Sequence, residues 1–424
     1  MLDIKFIREN KDLITAGAQK KHVEFNVEEL LTVDDERRGL MTSIEQKRGI
    51  QNQFSEKIPQ TEDQVARARM IEEMKTVKAE LQLEEDKLKE VMKKWQGLMV
   101  RVPNVPDVSV PEGASDADNQ EVRTWGEIPK FPYAPRSHIE LLELNDMIEF
   151  DRGTKVSGFR GYFLKNDAAM LQWALEQFVM DEFAKKGDFT PIIAPSLVRR
   201  EPFIGTGYLP QSEEDLYKTQ DDLYLAGTAE VPTMGLYMDE VLDAGKLPIK
   251  FIAYSPCFRR EAGSHGKDTR GIIRVHEFHK LEQVVLCAAD HAESVKLHEE
   301  LTNNSEKLLQ TLGIPYHVVV NCGGDLGLGQ VKKYDIEAWV PSENKYRETH
   351  SSSYFHDFQT RRLNIRYKDA EGKMKFVHSL NNTAMAFPRI LVPVIENNQQ
   401  EDGSIRIPEV LQKYMGGRTV IQKK

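Results

Sequence analysis

Ile252-Ala253-Tyr254-Ser255-Pro256-Cys257-Phe258-Arg259-Arg260-Glu261 and Ile272-Ile273-Arg274-Val275-His276-Glu277-Phe278-His279-Lys280-Leu281-Glu282-Gln283-Val284-Val285 decide the fold of this chain. Both runs are rich in Ile, Val, Phe and Tyr, and the stretch between them carries Gly263, Gly266 and Gly271. That pattern predicts two antiparallel strands joined by a loop. Strand side chains alternate faces, so Arg259 and Glu261 share one face, and on the return strand so do Phe278 and Glu282. If the two faces coincide, one surface presents a cation, carboxylates and an aromatic ring. A cation suits phosphate, a ring suits a stacked base, and a carboxylate suits an ammonium or hydroxyl. The plainer alternative is a hairpin whose Arg and Glu only pair with each other, and spacing alone leaves both open.

Outward from the hairpin, further strands are expected near 315–321, 334–340 and 353–367, and helices over Ala168–Lys186 and His291–Leu312. Strands and helices do not alternate as βαβ units. The expected fold class is therefore α+β on a largely antiparallel sheet. Upstream, Pro103, Pro106 and Pro111 forbid regular helix and mark a linker.

The first hundred residues follow a different rule. Leu30, Val33, Arg37, Leu40, Ile44, Lys47, Gln51, Phe54 and Ile58 recur at steps of three and four. Met70, Met74, Val77, Leu81, Glu84, Leu88, Val91, Trp95 and Leu98 do the same. Spacing near 3.5 places each stripe on one side of a helix, as in a coiled coil. Pro59 is expected to end the first helix, and Thr61-Glu62-Asp63 to start the second. Joined by a short turn, the two run antiparallel, an arm of roughly 45 Å at ~1.5 Å per residue. Such an arm is either a dimerisation element, a solvated strut or a binding device. Arg67, Arg69, Lys75 and Lys78 offer only a short basic stripe on the second helix.

Lys plus Arg is 57 and Asp plus Glu 67, for a net charge of −10, with 40% hydrophobic residues. This profile excludes a disordered chain and argues against a globally basic nucleic-acid binder, while leaving room for a local phosphate-binding surface. No apolar run nears the roughly 18 residues of a membrane span, and no secretory leader is visible. Cys257, Cys287 and Cys322 lie far apart, as reduced thiols would in a cytoplasm. Several motifs fail. Gly263-Ser264-His265-Gly266-Lys267-Asp268 is too short for a phosphate loop, and Gly324, Gly327 and Gly329 do not fit GxGxxG. His276 and His279, on a strand, would face opposite ways and share no metal. No serine sits in a GxSxG elbow.

Several separated blocks together resemble one family, the bacterial-type seryl-tRNA synthetases. They are Thr228-Ala229-Glu230, Phe258-Arg259-Arg260-Glu261-Ala262-Gly263, Asp268-Thr269-Arg270-Gly271, Arg274-Val275-His276-Glu277-Phe278, Asp357-Phe358-Gln359 with Arg361-Arg362, and Glu396-Asn397-Asn398-Gln399. The resemblance runs from Leu2-Asp3-Ile4 to Pro408-Glu409-Val410-Leu411. It implies a class II synthetase core, with a six- or seven-stranded antiparallel sheet flanked by helices and preceded by the coiled-coil arm. The implied division is an N-terminal tRNA-binding domain over 1–102, a linker over 103–120 and a catalytic domain over 121–424. The segment from Ala168 to about Pro195 resembles the first class II motif, which forms a homodimer interface.

The implied activity is ATP-dependent formation of seryl-adenylate from L-serine, then transfer to the 3′ end of serine tRNA, with ATP as substrate and Mg²⁺ as cofactor. Residue by residue, Arg259 resembles the Arg that holds the α-phosphate and the serine carboxylate. Arg389 resembles the one that holds the γ-phosphate and the adenine side. Both are catalytic by positioning and charge, and no protein nucleophile is needed. Arg260, Glu261, Val275, Phe278, Glu348, Thr349, His350 and Ser351 complete the implied ATP site. Glu261 would read the adenine amino group and Phe278 lie under the ring. Glu348 and Ser351 would hold Mg²⁺ with oxygen donors only. Thr228, Ala229, Glu230, Glu282 and Thr383, with Arg259, fall where the family binds serine. The arm would grip the long variable arm of serine tRNA, or of a selenocysteine tRNA, by shape and backbone. Neither DNA nor a membrane is an expected partner, and the expected location is the cytoplasm.

The chain departs from the family pattern in places. Thr349-His350-Ser351 stands where a small aliphatic residue and two serines are common, and His350 is expected to lie behind the metal pair without a catalytic part. Thr383 often appears as serine. Pro393 removes the amide that would bond the Arg389 carbonyl, so a kink is expected there. Two rival readings remain: a non-catalytic paralogue that binds RNA as a scaffold, and a ligase that loads a carrier protein. The first predicts loss of the charged set, which is present. The second predicts no long arm and a Cys/His/Glu zinc site, and the chain has the arm without that spacing.

Overall fold

The computed structural model describes residues 1–263, 266 and 268–423. The short glycine motif at 263–268 therefore lies partly outside the described residues. The chain divides into two compact units. One comprises residues 2–19 and 23–103; the other comprises Met1, Lys20–His22 and the chain from Asn104 onward.

The first unit begins with helices α1 (Ile4–Glu9) and α2 (Lys11–Lys20), followed by the long helices α3 (Val27–Gln60) and α4 (Gln64–Met99). At ~1.5 Å per residue the long pair extends roughly 50 Å. Every residue of both stripes is buried or half-buried. Two polar members of the first stripe meet the second stripe across the seam. Lys47 pairs with Glu84 at 3.1 Å, and the Arg37 guanidinium lies 4.7 Å from the centre of the Trp95 ring. Flanking pairs Glu29–Lys94 and Glu36–Lys87 run in opposite chain directions, which fixes the antiparallel register. The connection differs slightly from expectation. Pro59 sits inside the last turn and α3 continues to Gln60. Asp63 then caps α4, its carboxylate accepting from Val65 N–H. Near the start of α3 the buried Asp34 carboxylate joins Arg8 at 2.6 Å and Arg37 at 2.7 Å.

The second unit is built on a mixed sheet, eight strands among the described residues. They are β1 (Gln120–Trp125), β2 (Thr190–Ile193), β3 (Ile249–Phe258), β4 (Glu277–Cys287), β5 (Tyr316–Val320), β6 (Lys332–Val340), β7 (Lys345–His356) and β8 (His378–Phe387). Their order is β1-β5-β6-β7-β8-β4-β3-β2. All neighbours are antiparallel except β2–β3, so the sheet is wider than expected and carries one parallel edge pair. Helices α5 (Asn166–Lys186) and α6 (His291–Leu312) contribute Leu171, Leu175, Phe178, Leu297, Leu301 and Leu308 to one core with Ile252, Leu281, Val285 and Ile336 of the sheet. Both helices end at a left-handed glycine, Gly187 and Gly313, which frees the chain to turn. Leu281 and Val285 alternate with Phe278, Lys280 and Glu282 along β4, so the opposite face is left for polar work.

Three expectations are corrected. β3 stops at Phe258 and β4 starts at Glu277, so Arg259 and Glu261 stand in the intervening loop and not on a strand. Glu261 takes a left-handed backbone, φ 56°, which ends any pleat there. The expected strand over 353–367 breaks after His356 into helix α7 (Phe358–Leu363). Finally, β8 was not expected, because His378-Ser379-Leu380-Asn381-Asn382-Thr383 carries little β-branched or aromatic signal. It is nevertheless a central strand between β7 and β4.

Candidate active site

The polar face of the sheet floors a cavity of about 370 Å³. Arg259, Glu261, Val275, Phe278, Glu348, Thr349, Ser351 and Arg389 line it, and so do Thr228, Glu230, Glu282 and Thr383. Arg259 and Arg389 thus share one cleft, with Phe278 and Glu282 on the same side of β4.

Three residues expected at the site are not among its lining. Arg260 is exposed, and its N–H donates to the Asp215 carbonyl at 2.9 Å. Ala229 is buried against Ala194 and Ala253. His350 is buried and its Nδ1 lies 2.8 Å from the Thr349 hydroxyl. Burial lowers its pKa to about 4, so the ring is neutral at physiological pH.

A β-bulge explains the placement of His350. Glu348 is opposite Glu337, His350 opposite Ile336 and Ser351 opposite Asp335 on β6. Thr349 is the extra residue. Glu348 and Ser351, three apart, would face opposite ways on a regular strand, and the bulge returns both to the cavity. A second bulge between Thr383 and Met385 does the same for Thr383 and Ala386.

One end of the cavity is cationic. The Arg259 guanidinium lies over the Phe278 ring at 5.2 Å, and its Nε donates to the Gly227 carbonyl. Arg389 donates to the carbonyls of Ile273 at 3.0 Å and Glu348 at 3.3 Å. Burial, helped by the charges of Arg259 and Arg274, pulls Arg389 below its ordinary value. Burial opposes the Glu348 charge, yet Arg389, Lys333 and Arg259 hold that carboxylate below its usual range. Such a clustering of guanidiniums fits a polyanion. The Glu261 carboxylate accepts from Arg274 at 2.6 Å. Pro393 does not act as expected. Helix α8 (Leu391–Asn397) begins after Ile390, so the proline lies in a first turn whose amides have no partner inside the helix. The Arg389 carbonyl accepts from Val392 N–H at 3.1 Å instead.

The other end is a buried polar pocket. Lys280 Nζ lies 2.7 Å from a Glu282 oxygen and donates to the Thr228 hydroxyl at 2.7 Å. The Thr383 hydroxyl donates to the same Glu282 oxygen at 3.3 Å. Glu230 accepts from Gln359 at 2.7 Å and from the Tyr208 hydroxyl at 3.2 Å. Burial raises the Glu230 pKa. Sequence reasoning missed Lys280, Lys333, Arg274 and Tyr208. The spacing Phe278, Lys280, Glu282 on one strand face was the available signal for Lys280. Lys333 repeats the same alternation with Asp335, its partner at 2.9 Å. Nothing in the sequence marked Tyr208.

Residues 1–106 match the model of the seryl-tRNA synthetase N-terminal domain, and residues 213–398 match that of the tRNA synthetase class II core domain (G, H, P, S and T). The serine–tRNA ligase of Deinococcus radiodurans is 46% identical, over 99% of either chain. That of Carboxydothermus hydrogenoformans is 42% identical over the whole of both. The fold superposes on the crystal structure of seryl-tRNA synthetase from Pyrococcus horikoshii complexed with ATP, with TM-score 0.92, 39% identity and full coverage of both chains. The cytoplasmic serine–tRNA ligase from Naegleria fowleri in complex with AMP follows at TM-score 0.88 and 32% identity, covering 100% of this chain and 99% of the other.

Proposed function

The chain belongs to the seryl-tRNA synthetase family, and we propose that the cavity on the polar face of its sheet is where L-serine and ATP become seryl-adenylate. The seryl group then passes to the 3′ end of serine tRNA. One observation carries this reading: Arg259 and Arg389 line a single cavity whose far end holds Glu282 and Thr383. Nothing favours a non-catalytic paralogue, since Arg259, Glu261, Glu282, Glu348 and Arg389 all line that cavity.

The chemistry follows from the residues. A serine carboxylate oxygen attacks the α-phosphorus, the bond to the β-phosphate bridge breaks, and pyrophosphate leaves. Charge builds on the phosphoryl oxygens as this happens. Arg259 near the α-phosphate and Arg389 near the γ-phosphate stabilise that charge without needing to reorganise. Phe278 offers a face to adenine, Glu261 its carboxylate to the amino group, and Val275 lies beside the ring. Glu348 and Ser351 present oxygen donors on one face, as a hard divalent cation requires, and would hold Mg²⁺, which supplies further phosphate neutralisation. At the far end Glu282, Thr383, Thr228 and Glu230 surround the serine side chain and ammonium. A pocket that hydrogen-bonds a hydroxyl leaves buried groups unpaired when alanine enters, whereas threonine is opposed mainly by the volume of one methyl. Pyrophosphate exchange with serine, threonine, alanine and glycine in parallel tests the assignment, and a preference for any amino acid but serine would overturn it.

The division follows the chemistry: 1–102 as the tRNA-binding domain, 103–120 as the joining segment and 121–424 as the catalytic domain. Arg67, Lys75 and Lys78 recur on one exposed face of α4 and suit an RNA backbone. A selenocysteine tRNA with a similar long arm would be read in the same way. The working form is a homodimer. Met170 and Trp173 on α5 and Ile193 on the edge strand β2 are exposed, Ile193 by 85%, along the segment that resembles the family's dimer motif. Among the described residues no helix is long and apolar enough to cross a membrane. With three unpaired cysteines, that suits work in the cytoplasm.

A further inference from the structure

Four consecutive backbone carbonyls, those of Gly327, Leu328, Gly329 and Gln330, are all held from one side. Lys21 Nζ donates to Gly327 at 2.9 Å, Leu328 at 2.9 Å and Gln330 at 2.5 Å. Asn104 donates its backbone N–H to Leu328 at 2.9 Å and its side-chain amide to Gly329 at 2.9 Å. That amide also reaches the Phe355 carbonyl at 2.8 Å. Lys21 is only 3% exposed, and all three of its side-chain hydrogen bonds go to this loop. The loop is also tied within itself, Gly327 N–H donating to the Gln330 side chain at 2.6 Å. Gln330 in turn donates to the Ser353 hydroxyl at 2.8 Å.

The same four residues line the cavity. Strand register says which end they line. The loop leads into β6, whose Lys333 lies opposite Ser353 near the end of β7. Ser353 pairs with Asn381 of β8, and Thr383 with Glu282 of β4. Phe278 and Phe387, by contrast, lie at the other ends of β4 and β8. The loop therefore borders the Glu282–Thr383 end and is remote from the Phe278 end. A buried amine whose every hydrogen bond goes to one cavity-lining loop does more than fill space.

We propose that Lys21 and Asn104 are positioning residues for the amino-acid end of the cavity, fixing loop 327–330 so that its far side closes the serine pocket. This rests on the reading of the cavity as a serine and ATP site. Lys21 and Asn104 touch no reacting atom; they act through the loop.

The test is steady-state pyrophosphate exchange by the full-length protein carrying Lys21→Met, Asn104→Ala or Gly329→Ala. The last variant pushes the loop from its other side, because a Cβ there would meet the Phe358 ring at 2.6 Å. Loss of several hydrogen bonds to buried carbonyls should raise the KM for serine about tenfold in Lys21→Met, and less in Asn104→Ala. The KM for ATP should stay within about twofold, since ATP binds at the remote end. A purely structural role would lower the active fraction and hence kcat while leaving both KM values alone. That result, or equal rises in both KM values, would overturn the proposal. If Lys21→Met does not fold, Asn104→Ala and Gly329→Ala decide the matter by the same split. Absence of serine-dependent exchange in the unmodified protein would overturn the reading of the cavity itself. Normal exchange there, with unchanged serine KM in the variants, would overturn this inference alone.

Discussion

The Arg259 guanidinium lies 5.2 Å from the centre of the Phe278 ring, although the two residues belong to different segments of the β3–β4 hairpin. On the proposed reading Arg259 serves the α-phosphate and Phe278 the base, so the two side chains should fail in different ways. Arg259→Ala removes a charge that acts as the phosphoryl transfer proceeds and should cut exchange by about 10²–10³-fold in kcat. Phe278→Leu removes a stacking surface worth about 1–3 kcal/mol and should raise the KM for ATP about tenfold or more while leaving that for serine. Near-normal exchange by Arg259→Ala would take that residue out of the mechanism.

Lys280 and Glu282 form a buried pair, the side chains 6% and 4% exposed. Removing one partner strands the other, at a cost of about 3–5 kcal/mol. Glu282→Ala should therefore lower stability by that order in urea unfolding and abolish the preference for serine over alanine. The double variant Lys280→Met/Glu282→Leu should regain much of the stability and none of the activity. Recovery of serine selectivity in the double variant would contradict the assignment of Glu282.

His350 and Glu348 lie two residues apart but on opposite sides of a bulged strand. Glu348→Gln should lower exchange about 10²-fold or more and shift its Mg²⁺ dependence, since a charged oxygen donor is lost. His350→Ser should leave the Mg²⁺ titration unchanged. A shifted titration in His350→Ser would place the imidazole at the metal after all.

Deleting residues 30–98 removes most of the helical hairpin and none of the cavity lining. Serine-dependent exchange should persist, while charging of serine tRNA should fall by orders of magnitude. Equal charging by the truncated protein would refute an RNA-binding role for the arm.

Asp34 supplies a pH signature at the base of that arm. Burial opposes its charge, but hydrogen bonds from Arg8 and Arg37 hold its pKa below the ordinary 3.8. A carboxylate whose folded pKa is depressed adds stability above its unfolded value and loses it as pH falls through the folded one. Protection of α3 amides against hydrogen exchange, relative to their intrinsic rate at each pH, should thus fall below about pH 4 in the full chain, and Asp34→Asn should remove that step. An unchanged acid response in Asp34→Asn would mean that other groups set it.

Local pattern was enough for much of the molecule. The two stripes of the arm marked its seam residue by residue, because a helix repeats every 3.6 positions whatever surrounds it. Both ends of α6 and the C-terminal end of α5 were also visible, while α5 starts two residues earlier than expected, at Asn166. The chemical character of Arg259, Glu261, Phe278 and Glu282 was also legible, since a phosphate, a base and an amino acid each need particular partners. Tertiary structure decided where those groups stand. Arg259 and Glu261 are placed by a loop and not by strand alternation. Glu348, Ser351 and Thr383 reach the cavity through bulges, which depend on the neighbouring strand and leave no mark on the strand that carries them. β8 becomes a strand because β4 and β7 supply its hydrogen bonds, not because its residues favour one. Lys21 finds its three carbonyls some three hundred positions along the chain, a contact that no local periodicity encodes.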